Sequence, residues 1–131
     1  MTKEQLNAIT DKIIGAAIEV HREFGPGLVE AAYEACLVLE LISRGLSIER
    51  QKPIPLTYKG IPVGTGYRLD LLVEGAVVVE VKSVEKLEPV HIAQILLYLR
   101  VTGCKVGLLL NFNVKWLVDK GIKRVVNDFP E

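Results

Sequence analysis

The order of its hydrophobic periods predicts an α/β (α+β) chain with a mixed central sheet flanked by helices. Three observations carry that prediction. Two long segments of helical period open the chain; strand-length apolar runs joined by glycine turns fill its middle; and a further helical segment precedes the continuous apolar run KVGLLLNF.

Thr2 and Gln5 stand at capping-box spacing, and Leu6, Ile9, Ile13, Ala17, Val20 and Phe24 recur at helical intervals until Gly25, predicting a first helix over roughly residues 3–24. Gly25-Pro26-Gly27 stops it. LVEAAYEACLVLELISR then runs as a second helix to Gly45, with Leu37, Leu41 and Ile42 as its core face. Beyond Ser47, Ile54, Leu56 and Tyr58 alternate up to Lys59-Gly60, and Ile61-Pro62-Val63 resumes, which reads as strand, turn, strand. Residues 66–73 and 76–82 make the next hairpin, whose second arm, AVVVEVK, is β-branched almost throughout. Pro89 opens a third helix, HIAQILLYLRVT, closed by Gly103. KVGLLLNF reads as a strand covered on both faces, with the Val77–Val81 arm among its neighbours. The tail, VKWLVDKGIKRVV, fits a short helix followed by a last strand or one longer helix, and the first is preferred. No repeat or long linker interrupts the chain, so residues 1–131 are expected to form one domain.

Composition narrows the partners. Half the residues are hydrophobic and the mean hydropathy is +0.31, yet no apolar run approaches the roughly 18 residues of a membrane span. A large core or a sizeable interface follows, and with it the expectation of a homodimer and of no membrane. MTKEQLNAITDK reads as a helix start and not as a leader, so a cytoplasmic location is the default. Lys+Arg and Asp+Glu both number 16, a net charge of zero, so nucleic-acid binding has to rest on local patches and not on a general basic field. Cys36 and Cys104 lie in apolar segments at no metal-binding spacing and read as small core residues.

The stretch YRLDLLVEGAVVVEVKS, residues 67–83, carries charges where the rest asks to be buried. Glu80 and Lys82 share one strand face. A two-residue loop at Glu74-Gly75 would set Asp70 against Val79, whereas a three-residue loop, Glu74-Gly75-Ala76, sets it against Glu80. The odd loop is expected, with Gly75 taking a positive φ. Two carboxylates side by side repel unless a cation lies between them. Hard oxygen ligands suit Mg²⁺, and a neighbouring Lys can orient water or stabilise a phosphorane-like charge. Cross-strand ion pairing of Asp70, Glu80, Arg68 and Lys82 on a solvated face is the competing reading.

Further motifs stand around this stretch. GPGLVEAAYEACL contains Gly27-x-x-Glu30-x-x-Tyr33; Gln51-Lys52-Pro53, Tyr58-Lys59-Gly60, GYRLDLLV, VEVKS, Ala93-Gln94 through Tyr98-Leu99 and Gly107 through Asn111-Phe112 follow in order. Together they resemble the GxxExxY family, a group similar to the PD-(D/E)XK nuclease superfamily, over nearly the whole chain. The resemblance implies a restriction-endonuclease-like αβββαβ core and metal-dependent hydrolysis of phosphodiester bonds. By the same resemblance Asp70, Glu80 and Glu30 would bind Mg²⁺ or Mn²⁺ with the main-chain carbonyl of Val81, Lys82 would be the catalytic lysine, and Gln94 would orient Lys82, water or substrate. Leu69 stands where the superfamily has its proline.

Read without the resemblance, Glu30 sits in a first helical turn, where the helix dipole favours an acid anyway. Glu34, one turn on, is the alternative acid. Gln94 and Tyr98 are i,i+4 neighbours with His91 a turn earlier; Tyr98 reads equally as core and His91 as surface. His21 has no partner at metal spacing. Lys59, Arg68, Lys86 and Arg100 are the first basic residues to consider for phosphate. The leading expectation is a small Mg²⁺-dependent nuclease acting on nucleic acid, DNA ahead of RNA. Its rivals are a non-catalytic interaction module on the same fold and a hydrolase or binder of a phosphorylated small molecule.

Overall fold

The computed structural model describes residues 1–64 and 66–131. Among them run α1 (Lys3–Phe24), α2 (Glu30–Ser43) and α3 (Pro89–Thr102), with strands β1 (Ile48–Pro53), β2 (Thr57–Tyr58), β3 (Ile61–Pro62), β4 (Arg68–Val73), β5 (Val77–Lys82), β6 (Val106–Asn111) and β7 (Ile122–Val126). β1-β4-β5-β6-β7 form one mixed sheet, antiparallel throughout except for the β5–β6 pair that α3 connects. The expected sheet between helices is therefore present. The tail resolves into one π-helical turn, Leu117–Gly121, followed by β7.

One expected strand is shorter than its alternation suggests. The edge strand is Ile48–Pro53, and Ile54, Leu56 and Tyr58 do not continue it. Pro53 and Pro55 flank Ile54, and neither can donate to a ladder. Ile54 is buried and Leu56 half-buried in the core under α3, and each keeps one main-chain bond, the Ile54 N–H to the Tyr67 carbonyl at 2.9 Å and the Val63 N–H to the Leu56 carbonyl at 3.0 Å. The expected strand, turn and strand around Lys59-Gly60 are present as a separate two-stranded hairpin, Thr57–Tyr58 against Ile61–Pro62.

The sheet separates two apolar cores. Leu6, Ile9 and Ile13 of α1 and Leu37 and Leu41 of α2 pack with Val77, Val79, Val81, Val106, Leu108 and Leu110 on one face. Ile95, Tyr98 and Leu99 of α3 pack with Leu72, Val78 and Leu109 on the other. Odd and even residues of β5 thus divide between the cores, which is why its sequence is apolar without interruption until Glu80. No helix among the described residues is long and apolar enough to cross a membrane.

The chain directions gather one end of the molecule for function. β5 and β6 finish there at Lys82 and Asn111, β4 starts there at Arg68, and α2 starts there at Glu30. The Gly27-x-x-Glu30-x-x-Tyr33 motif builds the approach. Gly27 has φ +117°, a conformation closed to most side chains. Tyr33 is fully buried and stacks on Phe112 with ring centroids 4.6 Å apart. Its hydroxyl donates to the Gly25 carbonyl at 2.5 Å and accepts from the Leu28 N–H at 3.1 Å. The loop before Glu30 is therefore clamped to the core. Tyr33→Phe keeps the ring and strands both main-chain partners, so denaturant unfolding should show a loss of about 1–3 kcal/mol.

Candidate active site

The β4–β5 hairpin has the odd loop. Leu71 pairs with Val79, Leu72 with Val78 and Val73 with Val77, leaving Glu74-Gly75-Ala76 as the turn. That register points Asp70 toward Glu80. The main-chain ladder stops at the Leu71–Val79 pair, and carboxylates take over its bonds. Glu80 accepts the Asp70 N–H through Oε2 at 2.8 Å, and Asp70 accepts the Val81 N–H through Oδ2 at 2.8 Å. Each acid is held by the backbone of the opposite strand.

The acids do not simply lie side by side on one flat face, as expected from ideal alternation. Leu71 and Val73 enter the α1–α2 core, but Leu72 and Leu69 both enter the α3 core. Strict alternation fails at Asp70. Gln51, which the β1–β4 register would place opposite Asp70, is missing from that ladder and has φ +53°. Both neighbours of Asp70 are thus locally distorted, as is common where a strand re-aims a functional side chain. Asp70 consequently opens onto a cleft of about 170 Å³ shared with Glu30, Glu34, Gln51 and Val81. Glu80, even-numbered like Val78, comes from the α3 side. The two carboxylates meet across the strand gap.

On the α2 side Glu34, not Glu30, is the buried acid, only 6% exposed. It accepts from Arg50 Nε at 2.8 Å and from Gln51 Nε2 at 2.8 Å, and the same Gln51 amide reaches Asp70 Oδ1 at 3.4 Å. Glu30 is exposed at the cleft edge and accepts the Ser83 N–H at 3.3 Å. Arg50 and Gln51 received no role from the sequence. The quoted Gln51-Lys52-Pro53 was the available signal, but the backbone twist that turns Gln51 inward has no period to read. Asn111 was missed likewise. It is buried at the end of β6, and its amide both donates to the Val84 carbonyl and accepts from the Val84 N–H, fixing the chain that leaves Lys82.

On the α3 side Tyr98 is buried, with Tyr67 edge-on at 6.3 Å between centroids. Burial and then the negative charge of Glu80 push its hydroxyl up to about 12, opposed by a hydrogen bond with Gln94. Gln94 and Tyr98 therefore stand on the Glu80 side of the gap. His91 caps its own helix, its Nδ1 accepting the Glu88 N–H at 2.9 Å. His21 hydrogen-bonds the Val114 carbonyl at 2.7 Å, away from the acids.

The electrostatics follow from burial. Glu80 is 4% exposed, and desolvation, then repulsion from Asp70, push its carboxyl up to about 8. Asp70 is also raised, chiefly by desolvation; the Val81 N–H and the positive charge of Lys82 oppose the shift. Two acids that resist ionising together are a site short of positive charge. The donors present suit a divalent ion: two carboxylates of hard oxygen, and the Val81 carbonyl. Because Phe112 donates to the Lys82 carbonyl, the Lys82 peptide groups face β6, and those of Val81 face β4 and Asp70. Among the described residues no group of three His, Cys, Asp or Glu side chains forms a ready-made metal cluster. The fit is thus that of a divalent ion held by few protein ligands.

A family model described as the PD-(D/E)XK nuclease superfamily matches residues 7–125 of the chain. No curated protein and no solved structure matches it.

Raised carboxyl pKa values make the folded state the better proton binder, so its stability falls as pH rises from the unfolded carboxyl range through about 8. In the presence of chelator, the melting temperature should decline between these limits, and the decline should be shallower in Glu80→Gln. Parallel profiles for the two proteins would contradict the assignment of the pH response to Glu80.

Proposed function

Because the chain belongs to the PD-(D/E)XK nuclease superfamily, we propose that it is a Mg²⁺-dependent nuclease of the GxxExxY group, a single domain over residues 1–131 that hydrolyses phosphodiester bonds in nucleic acid, DNA first. The observation that carries this reading is the pair Asp70 and Glu80, each anchored to the other's strand where the ladder ends, with Lys82 one step beyond.

In this reading Asp70, Glu80 and the Val81 carbonyl would hold the ion, with Glu30 at the edge of the same cleft as the further ligand, and Mn²⁺ is the natural substitute. A divalent ion in such a site supplies Lewis acidity toward phosphoryl oxygen and acidifies bound water. The protein groups have separate tasks. The half-buried Lys82 is positive beside both acids and its Nζ donates to the attacking water or to a non-bridging phosphoryl oxygen as charge builds there. Gln94, with Tyr98, restricts the α3 side of Glu80 and orients Lys82 or water. Glu30 and Glu34 bring further negative charge to the α2 side of the cleft. Arg50 and Gln51 hold Glu34, and Gln51 steadies Asp70 from the same side.

The decisive assay incubates the protein with labelled single-stranded, duplex and branched DNA and RNA, in Mg²⁺, Mn²⁺ or chelator. Cleavage should require the metal and fall by about 10²–10³ in Glu80→Ala and Lys82→Ala. Cleavage surviving in both variants would sink the assignment. No cleavage of any substrate, with no metal-dependent rise in thermal stability, would favour a non-catalytic interaction module.

A further inference from the structure

Trp116 is the chain's one tryptophan, and it is 63% exposed. A large aromatic left in water is an unusual surface residue that interfaces use. It is not on a loose loop. Lys120 N–H donates to the Trp116 carbonyl at 3.1 Å, tying it to the turn whose Leu117 is buried in the core. A Cβ on Gly121 would fall 2.6 Å from Leu117 Cδ1 and closer still to the Asn111 carbonyl, so this turn packs directly on the end of β6. The His21 ring holds the Val114 carbonyl from α1. Single π-turns recur at functional sites. Here the turn mounts an indole outward from a fixed base.

The surroundings carry charge of both signs, with Lys115 the basic group beside the indole. Trp116 borders a cleft of about 500 Å³ with His21, Arg22 and Lys115 on its walls. Lys115 Nζ lies 5.4 Å from the indole centroid. Asp119 is the acid on the same rim, and Glu19 pairs with Arg22 at 3.0 Å. A second cleft lies near this one in the chain, across the Gly25–Gly27 and Asn113–Lys115 segments. Gly25 lines the first cleft, and the second, of about 690 Å³, is lined by Gly27, Asn113, Ser83 and Glu30. Glu30 is shared with the acid cleft that holds Asp70.

Resting on the nuclease reading for its location, we propose that this surface binds single-stranded nucleic acid, with one unpaired base stacked on Trp116 and the backbone following Lys115 and Asn113 toward Glu30 and Asp70. Net neutrality and the exposed indole together favour an unpaired strand. A chain with 16 basic and 16 acidic residues has little of the counterion-release affinity that carries duplex binders. Stacking must replace it, and only unpaired bases offer an open face.

The lone tryptophan makes the test direct. Single-stranded oligothymidylate, titrated into the whole chain in chelator, should quench Trp116 fluorescence saturably, and a duplex of equal length should quench it much less. By anisotropy of a labelled strand, Trp116→Ala should bind about 5- to 150-fold more weakly, the effect of losing one stacked base. Lys115→Glu should weaken binding and flatten its salt dependence. Because binding is read on the parent chain in chelator, it is separable from the nuclease reading: binding in chelator without cleavage in Mg²⁺ would overturn that reading alone. Absence of quenching, or equal affinity in Trp116→Ala, would overturn this one. So would an emission change that tracks protein concentration without oligonucleotide, which would make the cleft an interface between copies.

Discussion

The end of the β4–β5 ladder governs this molecule. A pair of strands that continued beyond Leu71 and Val79 would satisfy its own amides and have no use for carboxylates between them. Here the Asp70 and Val81 N–H groups are left for Glu80 and Asp70 respectively. The exchange compensates the desolvation of two acids only in part, because each gains a main-chain donor while facing the other's charge. Everything nearby bears on that imbalance: Lys82 from the strand itself, Gln51 from β1, and the Gln94–Tyr98 pair from α3.

The neighbouring elements can also be understood through this gap. α2 would be an ordinary amphipathic helix if Glu34 faced water. It points instead into the sheet end, where Arg50 neutralises it and Gln51 spans from it to Asp70. Gln51 reaches both acids only by adopting a positive φ, a conformation that costs a non-glycine residue of order 1 kcal/mol. That strain is concentrated where β1 faces Asp70, while Lys52 and Arg50 on either side keep regular pairing. Asn111 performs the same service on the far side by fixing the exit of β5.

How much of this was legible before the coordinates depends on the kind of signal. The three helices, the β4–β5 hairpin with its odd loop and the closing strand β7 were readable, because hydrophobic period and glycine turns are local. The superfamily was legible too, through motifs spread in order along the chain. The strand expected over Ile54, Leu56 and Tyr58 is shorter than its alternation suggests: the turn at Lys59-Gly60 and the pairing of Tyr58 with Ile61 are present, while Pro53 and Pro55 remove ladder donors before it. Placing the acids was harder. Periodicity describes ideal strands, whereas Asp70 is aimed by a departure from alternation that only the packing of Leu69 with Leu72 reveals. Glu30 and Glu34 differ by one helical turn, and nothing in their spacing says which is exposed and which is buried against Arg50.

Neutral composition acquires a structural meaning once the acids are placed. Four carboxylates, Glu30, Glu34, Asp70 and Glu80, converge on one end of the sheet, and of the basic side chains there Arg50 is committed to Glu34 and Lys82 lies beside Asp70 and Glu80. An anionic polymer approaching this end meets repulsion until a divalent cation offsets the acids, so metal and substrate would bind cooperatively by simple charge compensation. The contacts that hold the substrate beforehand must then be ones that acidic surroundings do not cancel. Stacking on an aromatic surface meets that requirement, since it depends on π-face contact and water exclusion more than on net charge. On the nuclease reading the outward indole, which lines neither of the clefts that hold Glu30, Glu34 and Asp70, is a place for such a contact.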